Sequence, residues 1–430
     1  MTGIVDLSWN MRHQLLLTRS EYAQGRIYNP HHVVYAVDIR GPLDLTRLTN
    51  AWTSLQRRHV GLQLAFDMTA PRATASAHPS SRLELRHPAE GDSDSDAKAL
   101  LQAAVRAPFD LTRGPLARLI AVPIADNRTL LALSVEHVVC DAWSYLLLIS
   151  ELWSLYREPT ASLPPVKRML GQHIAMENEW LESADGRRAV TERARALDGL
   201  GPLPQIELPG LIKRDGPVRL AETRSVDFRI DAAETAALRS RGAPLGLTVS
   251  ALAQAAYSAA LATLSGQRRV GVVLSTANRA HADLRATVGW VSNKIVVPVT
   301  VRHDPNTDEF LRDFAEEQAS ALDHAAIPFG KMLHVMNPSL FGVPTSYPWV
   351  GYNPRPATMA RYFPPNNPPE LAATEFAVPS GWNEKSLVAY ATERDGELRG
   401  SVAYKPYWYG EDVAQAVATQ ITAICRGWTK

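Results

Sequence analysis

Cysteine is nearly missing from this 430-residue chain, with Cys140 and Cys425 its only two. Two thiols cannot make a disulfide framework, and such sparing use points to a reducing compartment. An excess of one charge is missing as well. Lys and Arg number 45 against 44 Asp and Glu, a formal charge of +1, so electrostatics offers no argument for nucleic acid or a membrane surface. No apolar run reaches the length that spans a bilayer, and the opening MTGIVDLSWNMRHQ lacks the uninterrupted apolar core of a signal peptide. A cytoplasmic protein is therefore expected. Metal-ligand spacing is absent too: His31-His32 has no third ligand at a useful distance, which leaves polar strand-edge residues as the better reading.

What is present describes an ordinary globular protein, 46% hydrophobic and 21% charged. Its length exceeds what one core usually supports, so two lobes are expected. The proline-bearing stretch Glu158–Val166 suits a connector, giving lobes over residues 1–165 and 166–430. Strand and helix patterns alternate in both halves, which predicts an α/β fold. In the first half, strand His32–Ile39 precedes a helix carrying Leu45, Leu48, Trp52 and Leu55, and the turn Asp126-Asn127-Arg128 joins strand Ala117–Pro123 to strand Leu130–Val135. Arg58 and His59 end the helix, where positive charge suits its dipole. Val60–Asp67 reads as a strand, and Met169–Asp198 as one long polar helical stretch. In the second half, Thr248 caps a helix so poor in charge that it must be buried on most sides. Ala70–Ser80 and the proline-rich Asn353–Pro369 read as irregular loops.

The most informative stretch is Leu131–Tyr156. An apolar strand turns polar at Glu136-His137 and resumes at Trp143 as a helix. Titratable groups at the end of a buried strand are costly unless paired, so Glu136, His137 and Asp141 mark a candidate site. The ordinary explanations are an Asp N-cap and a hydrogen-bonded boundary His. Cys140 fits a small apolar filler better than a nucleophile, which would need a base and exposure. Glu136, His137 and Asp141 do not converge readily on a metal from a strand and the loop after it.

Glu136-His137-Val138-Val139-Cys140-Asp141-Ala142-Trp143-Ser144 resembles the HHxxxDG signature of condensation domains of nonribosomal peptide synthetases and of related chloramphenicol-acetyltransferase-like acyltransferases. Gly41-Pro42-Leu43-Asp44 with Arg58-His59, Asn278-Arg279 through Val288-Gly289-Trp290-Val291-Ser292-Asn293, and Ile327-Pro328-Phe329 resemble further motifs of that family, in the same order. The resemblance covers nearly the whole chain and suggests a free-standing member. It implies two chloramphenicol-acetyltransferase-like lobes arranged in a V, with a central tunnel. Through one mouth a carrier protein would deliver an acyl group on phosphopantetheine, and the acceptor would enter through the other. No tightly bound cofactor is implied.

Residue by residue, His137 falls on the motif's second histidine, as general base or nucleophile-positioning group. Asp141 falls on its aspartate, with Arg279 as the expected ion-pair partner. Glu136 stands at the first histidine; it could raise the pKa of His137, neighbour an acceptor amine, or point into the N-terminal lobe. Ala142 replaces the glycine, awkward if positive φ is needed there and narrowing if only room is needed. Ser144 is expected as a helix cap or an oxyanion donor, Trp143 as core or as part of the tunnel wall, and Trp290 and Asn293 as lining or support for the tunnel. The implied function is transfer of a carrier-bound acyl or aminoacyl group to an amine or alcohol, with amide and ester both open. A catalytically silent docking domain and an acyl-CoA-dependent acyltransferase are the alternatives.

Overall fold

The structure is a computed structural model that describes residues 3–23, 31–69, 72–75, 81–212, 223–343, 349–354, 363, 367–378 and 385–430. The chain begins β1 (Gly3–Asp6), α1 (Trp9–Ala23), β2 (His32–Arg40), α2 (Leu45–Arg58), β3 (Leu64–Phe66), β4 (Arg72–Ala75) and β5 (Leu83–Leu85). It continues through α3 (Asp94–Arg106), β6 (Ala117–Ala125), β7 (Arg128–Glu136), α4 (Ala142–Arg157), α5 (Leu170–Glu182) and α6 (Ala184–Ala196). Then come β8 (Arg224–Ile230), α7 (Ala232–Gly242), α8 (Val249–Ser265), β9 (Arg269–Thr276), β10 (Asn293–Thr300), α9 (Asp308–Asp323) and α10 (Phe329–Met336). The described residues end with β11 (Val350–Pro354), β12 (Ala372–Glu375), β13 (Leu387–Arg394), β14 (Glu397–Tyr404) and α11 (Glu411–Gly427).

Two compact units result, and neither is continuous in sequence. The first comprises Met1–Trp180, Ala277–Ser292 and Phe363–Trp382, and the second Leu181–Thr276, Asn293–Tyr362 and Asn383–Lys430. This differs from a single division after residue 165. Hydrogen bonding is the reason: β12 pairs antiparallel with β2, and the 277–292 segment is bonded to the start of α4.

In the first unit, the five-stranded sheet has the order β12-β2-β7-β6-β5. Strand β7 lies near its centre and is buried at almost every position. Side chains alternate between faces with period two. Leu131, Leu133 and Val135 join a core with Trp52, Leu148 and Trp153 of α2 and α4. Leu130 and Ala132 join a separate core with Ala97, Leu101 and Val105 of α3. This alternation decides where the strand's last residues point.

The second unit is built on a six-stranded sheet, order β10-β9-β11-β13-β14-β8. Strand β11 runs parallel to β9 and β13, and the other neighbours are antiparallel. Helix α8 starts where its cap predicts, with Thr248 accepting the Ala251 N–H. From Leu252 to Ala262 every residue is buried, and the Tyr257 hydroxyl donates to the Leu387 carbonyl at 3.2 Å. No single helix among the described residues is long and apolar enough to cross a membrane.

Local differences from the sequence reading have local causes. Val60–Gln63 is a 3₁₀ turn ahead of β3 rather than part of a longer strand. The expected helical stretch 169–198 is two helices, broken at Ser183, whose hydroxyl accepts the Gly186 N–H and restarts the helix. The loop expected over Ala70–Ser80 lies outside the described residues except for β4, and most of Asn353–Pro369 lies outside them as well. Since α8 has no free surface along its middle, Ala256→Leu is expected to destabilise the chain by about 1–3 kcal/mol through overpacking, read from the urea unfolding midpoint.

Candidate functional site

Strand β7 ends at Glu136, a 3₁₀ turn spans His137–Val139, and α4 begins at Ala142. The turn is pinned through its backbone. The His137 N–H donates to the His31 carbonyl at 2.7 Å, and the Cys140 N–H donates to the His137 carbonyl at 3.1 Å.

Asp141 caps α4, its Oδ1 accepting the Ser144 N–H at 2.9 Å. The ordinary reading of this residue is therefore correct but incomplete. Oδ2 also accepts Arg279 Nη1 at 2.7 Å and the N–H groups of Val291 at 3.0 Å and Ser292 at 2.7 Å. Both charged side chains are 1% exposed. Burial pushes the Asp141 carboxyl up, but the Arg279 charge and the donated hydrogen bonds outweigh it and hold the group below the usual carboxylate range. Arg279 also donates to the Ala277 carbonyl, the Thr287 carbonyl and Ser144 Oγ. Asn278, at φ +50°, donates through its side-chain amide to the Val291 carbonyl at 3.2 Å. These bonds fold residues 277–292 against the start of α4.

Several expectations change here. Ser144 is neither the cap nor an available oxyanion donor. Its hydroxyl donates to the Gly289 carbonyl at 2.8 Å and accepts from Gly289 N–H at 3.0 Å and Arg279 Nη2 at 2.9 Å, which fills its capacity. Trp143 is not core: it is half-buried, its indole N–H donates to the Arg285 carbonyl at 2.9 Å, and the Arg279 guanidinium lies 5.8 Å from its ring. Ala142 is exposed at the first helical position, and the only described non-glycine residues at positive φ are Asn278 and Asp395. An alanine there carries no backbone strain. Asn293 lies in the second unit, 3% exposed, donating to the Ala325 and Ile327 carbonyls and accepting the Phe329 N–H. It braces the Ile327-Pro328-Phe329 segment, the supporting role expected of it.

Glu136 is the last residue of β7, and His137 belongs to the 3₁₀ turn that follows it. Glu136 is 2% exposed and faces His32, its cross-strand partner, at 3.4 Å. His137 is half-buried, with its ring packed edge-on against Trp290 at 4.8 Å between centroids. Cys140 is fully buried, and burial followed by the Asp141 charge raises its thiol well above the ordinary value. A thiolate nucleophile is excluded at that position.

Three groups escaped the sequence reading. Glu151 on α4 accepts His59 Nε2 at 2.6 Å and Arg58 Nε at 3.0 Å, so these two residues answer a buried carboxylate and not only a helix dipole. A lone acid on an otherwise apolar helix was the available signal. On α5, burial pushes Glu177 up to about 8, with Arg12 opposing. One turn earlier, burial and then the positive charges of Arg168 and Arg279 push His173 down to about 4. Nothing in their spacing distinguishes these two from solvated helix residues.

Comparison with known proteins identifies the class to which this mixed α/β fold and its motif belong. The condensation-domain family model matches residues 11–339. The chain is 29% identical over 344 residues to malpibaldin synthetase of Mortierella alpina, covering 78% of this chain but only 6% of that protein. Among solved structures, the condensation domain of the monacolin K polyketide synthase MokA superposes with a TM-score of 0.80 at 17% identity, covering 99% of this chain and 97% of the other. The X-domain from teicoplanin biosynthesis gives 0.81 at 21% identity over 98% and 94%; it has also been solved in complex with OxyB. At these identities the likeness establishes the fold. The chain belongs to the condensation-domain family, whose members generally form amide bonds and work with carrier proteins bearing phosphopantetheine.

Two predictions follow from the charges. Removing one member of the buried pair, as in Asp141→Asn or Arg279→Ala, should cost about 3–5 kcal/mol, measured by denaturant unfolding at neutral pH. The wild-type pair's contribution is present above the ordinary carboxylate pKa and is lost as pH falls through the depressed value of Asp141. Glu177 has the opposite sign. Its folded pKa is raised from 4.5 to about 8, so its contribution is complete below 4.5 and is lost as pH rises through about 8. Glu177→Gln should therefore raise the melting temperature near pH 8 relative to wild type and leave it unchanged near pH 4.

Proposed function

We propose that this chain transfers an acyl or aminoacyl group from a carrier-bound phosphopantetheine thioester to an amine or alcohol, with His137 acting on the nucleophile. One observation carries this reading: Asp141, Ser144 and Glu136 are buried and held by protein partners, whereas His137 is only partly buried, in the turn between β7 and α4. The acceptor nitrogen or oxygen attacks the thioester carbonyl carbon and loses its proton to the imidazole. Collapse of the tetrahedral intermediate breaks the C–S bond, and the proton passes to the departing sulfur, giving amide or ester plus the carrier thiol. Such proton transfer is worth about 10²–10⁴-fold. The pantetheine arm enters as part of the donor substrate.

Recruitment without chemistry is the second reading, as the teicoplanin X-domain is found in complex with OxyB. Glu136 in place of the motif's first histidine motivates it. The strain-free Ala142 does not.

Mass spectrometry of loaded carriers incubated with candidate amines and alcohols separates these readings. His137→Ala is expected to lower turnover by about 10²-fold or more while carrier binding stays intact. Binding without turnover in the wild type would establish recruitment instead. Turnover of free acyl-CoA with no carrier would assign a CoA-dependent acyltransferase.

A further inference from the structure

Glu136 departs from the family signature, and its surroundings show a built site. Leu130 and Ala132 of β7 pack on α3 and the Ser134 hydroxyl donates to the Val105 carbonyl of that helix at 3.3 Å, so strand alternation puts Glu136, 2% exposed, on the same face. Opposite it lies His32, 7% exposed and in direct cross-strand register. His32 Nδ1 is 2.7 Å from the Val105 carbonyl, in the last turn of α3. Carbonyls at a helix C-terminus have no intrahelical donor, and a carbonyl only accepts, so the Nδ1 proton is committed there. Nε2 is then left facing Glu136 Oε2 at 3.4 Å, an attractive contact when a proton sits on one of the two atoms. The ring is held from the side by Phe109, edge-on at 4.7 Å, and the Arg118 guanidinium lies 3.9 Å from that phenyl ring.

The same two strand ends carry the backbone bond that sets His137. Glu136 N–H donates to the Leu116 carbonyl at 2.9 Å, and His137 N–H to the carbonyl of His31, the neighbour of His32. We propose that His32 and Glu136 form a buried lock that positions His137: the side-chain pair clamps β2 to β7 so that the His31 carbonyl holds the His137 backbone. The imidazole absent from position 136 is thereby supplied from across the strands. Glu136 is a positioning residue, and its presence is compatible with an active enzyme. This inference rests on the acyl-transfer reading for its kinetic consequence, but its geometric half is testable without turnover.

The test compares Glu136→Ala, Glu136→Gln and His32→Asn with wild type, after thermal melts confirm that each is folded. Glutamine can still donate to Nε2, and the asparagine amide can still reach the Val105 carbonyl but not Glu136. Glu136→Ala and His32→Asn should each lower kcat about tenfold with KM kept within about twofold, and should speed hydrogen exchange of the His137 amide about tenfold. Glu136→Gln should recover most of both. Unchanged kcat and exchange in Glu136→Ala, or a glutamine variant no better than alanine, would overturn the lock. If wild type transfers no group from any carrier, the acyl-transfer reading falls, and the exchange measurement alone then decides the lock.

Discussion

A buried ion pair joins Asp141 to Arg279 across 138 positions of sequence. Two ions removed from water are expensive, and their mutual attraction offsets that expense only when the remaining hydrogen-bonding capacity is also used. Here it largely is. Asp141 receives three backbone N–H groups besides the guanidinium, and Arg279 donates to two carbonyls and the Ser144 hydroxyl. The pair binds the 277–292 segment to the α4 N-terminus and so brings Trp290 against the His137 ring. Neither charge is free for chemistry.

The second constraint is the end of strand β7. Glu136 and His137 are adjacent in sequence, but Glu136 ends β7 opposite His32, whereas His137 opens the 3₁₀ turn and packs against Trp290. Glu136, the altered motif position, faces an interior of its own, with His32 to receive it.

Much of the architecture was legible locally. Thr248 and Asp141 each open a helix at the residue their side chains predict, since a cap needs only the next three N–H groups. The charge-poor pattern of α8 foretold its burial. Ser144 and Trp143 were misread because their environments come from Gly289, Arg279 and Arg285, about 140 residues away. The supporting role of Asn293 is likewise made by distant groups, its three partners lying 32 to 36 positions downstream.

Helix starts, strand alternation and the order of the motifs were determined by the chain itself, because propensity, capping and period act within a few residues. The discontinuous make-up of the units, the partners of Glu136, Glu151 and Ser144, and the shifted acidities of Glu177 and His173 were decided only on folding. Each depends on which distant group displaces water from a side chain. Desolvation and pairing are properties of a packed neighbourhood, and sequence spacing carries no record of them.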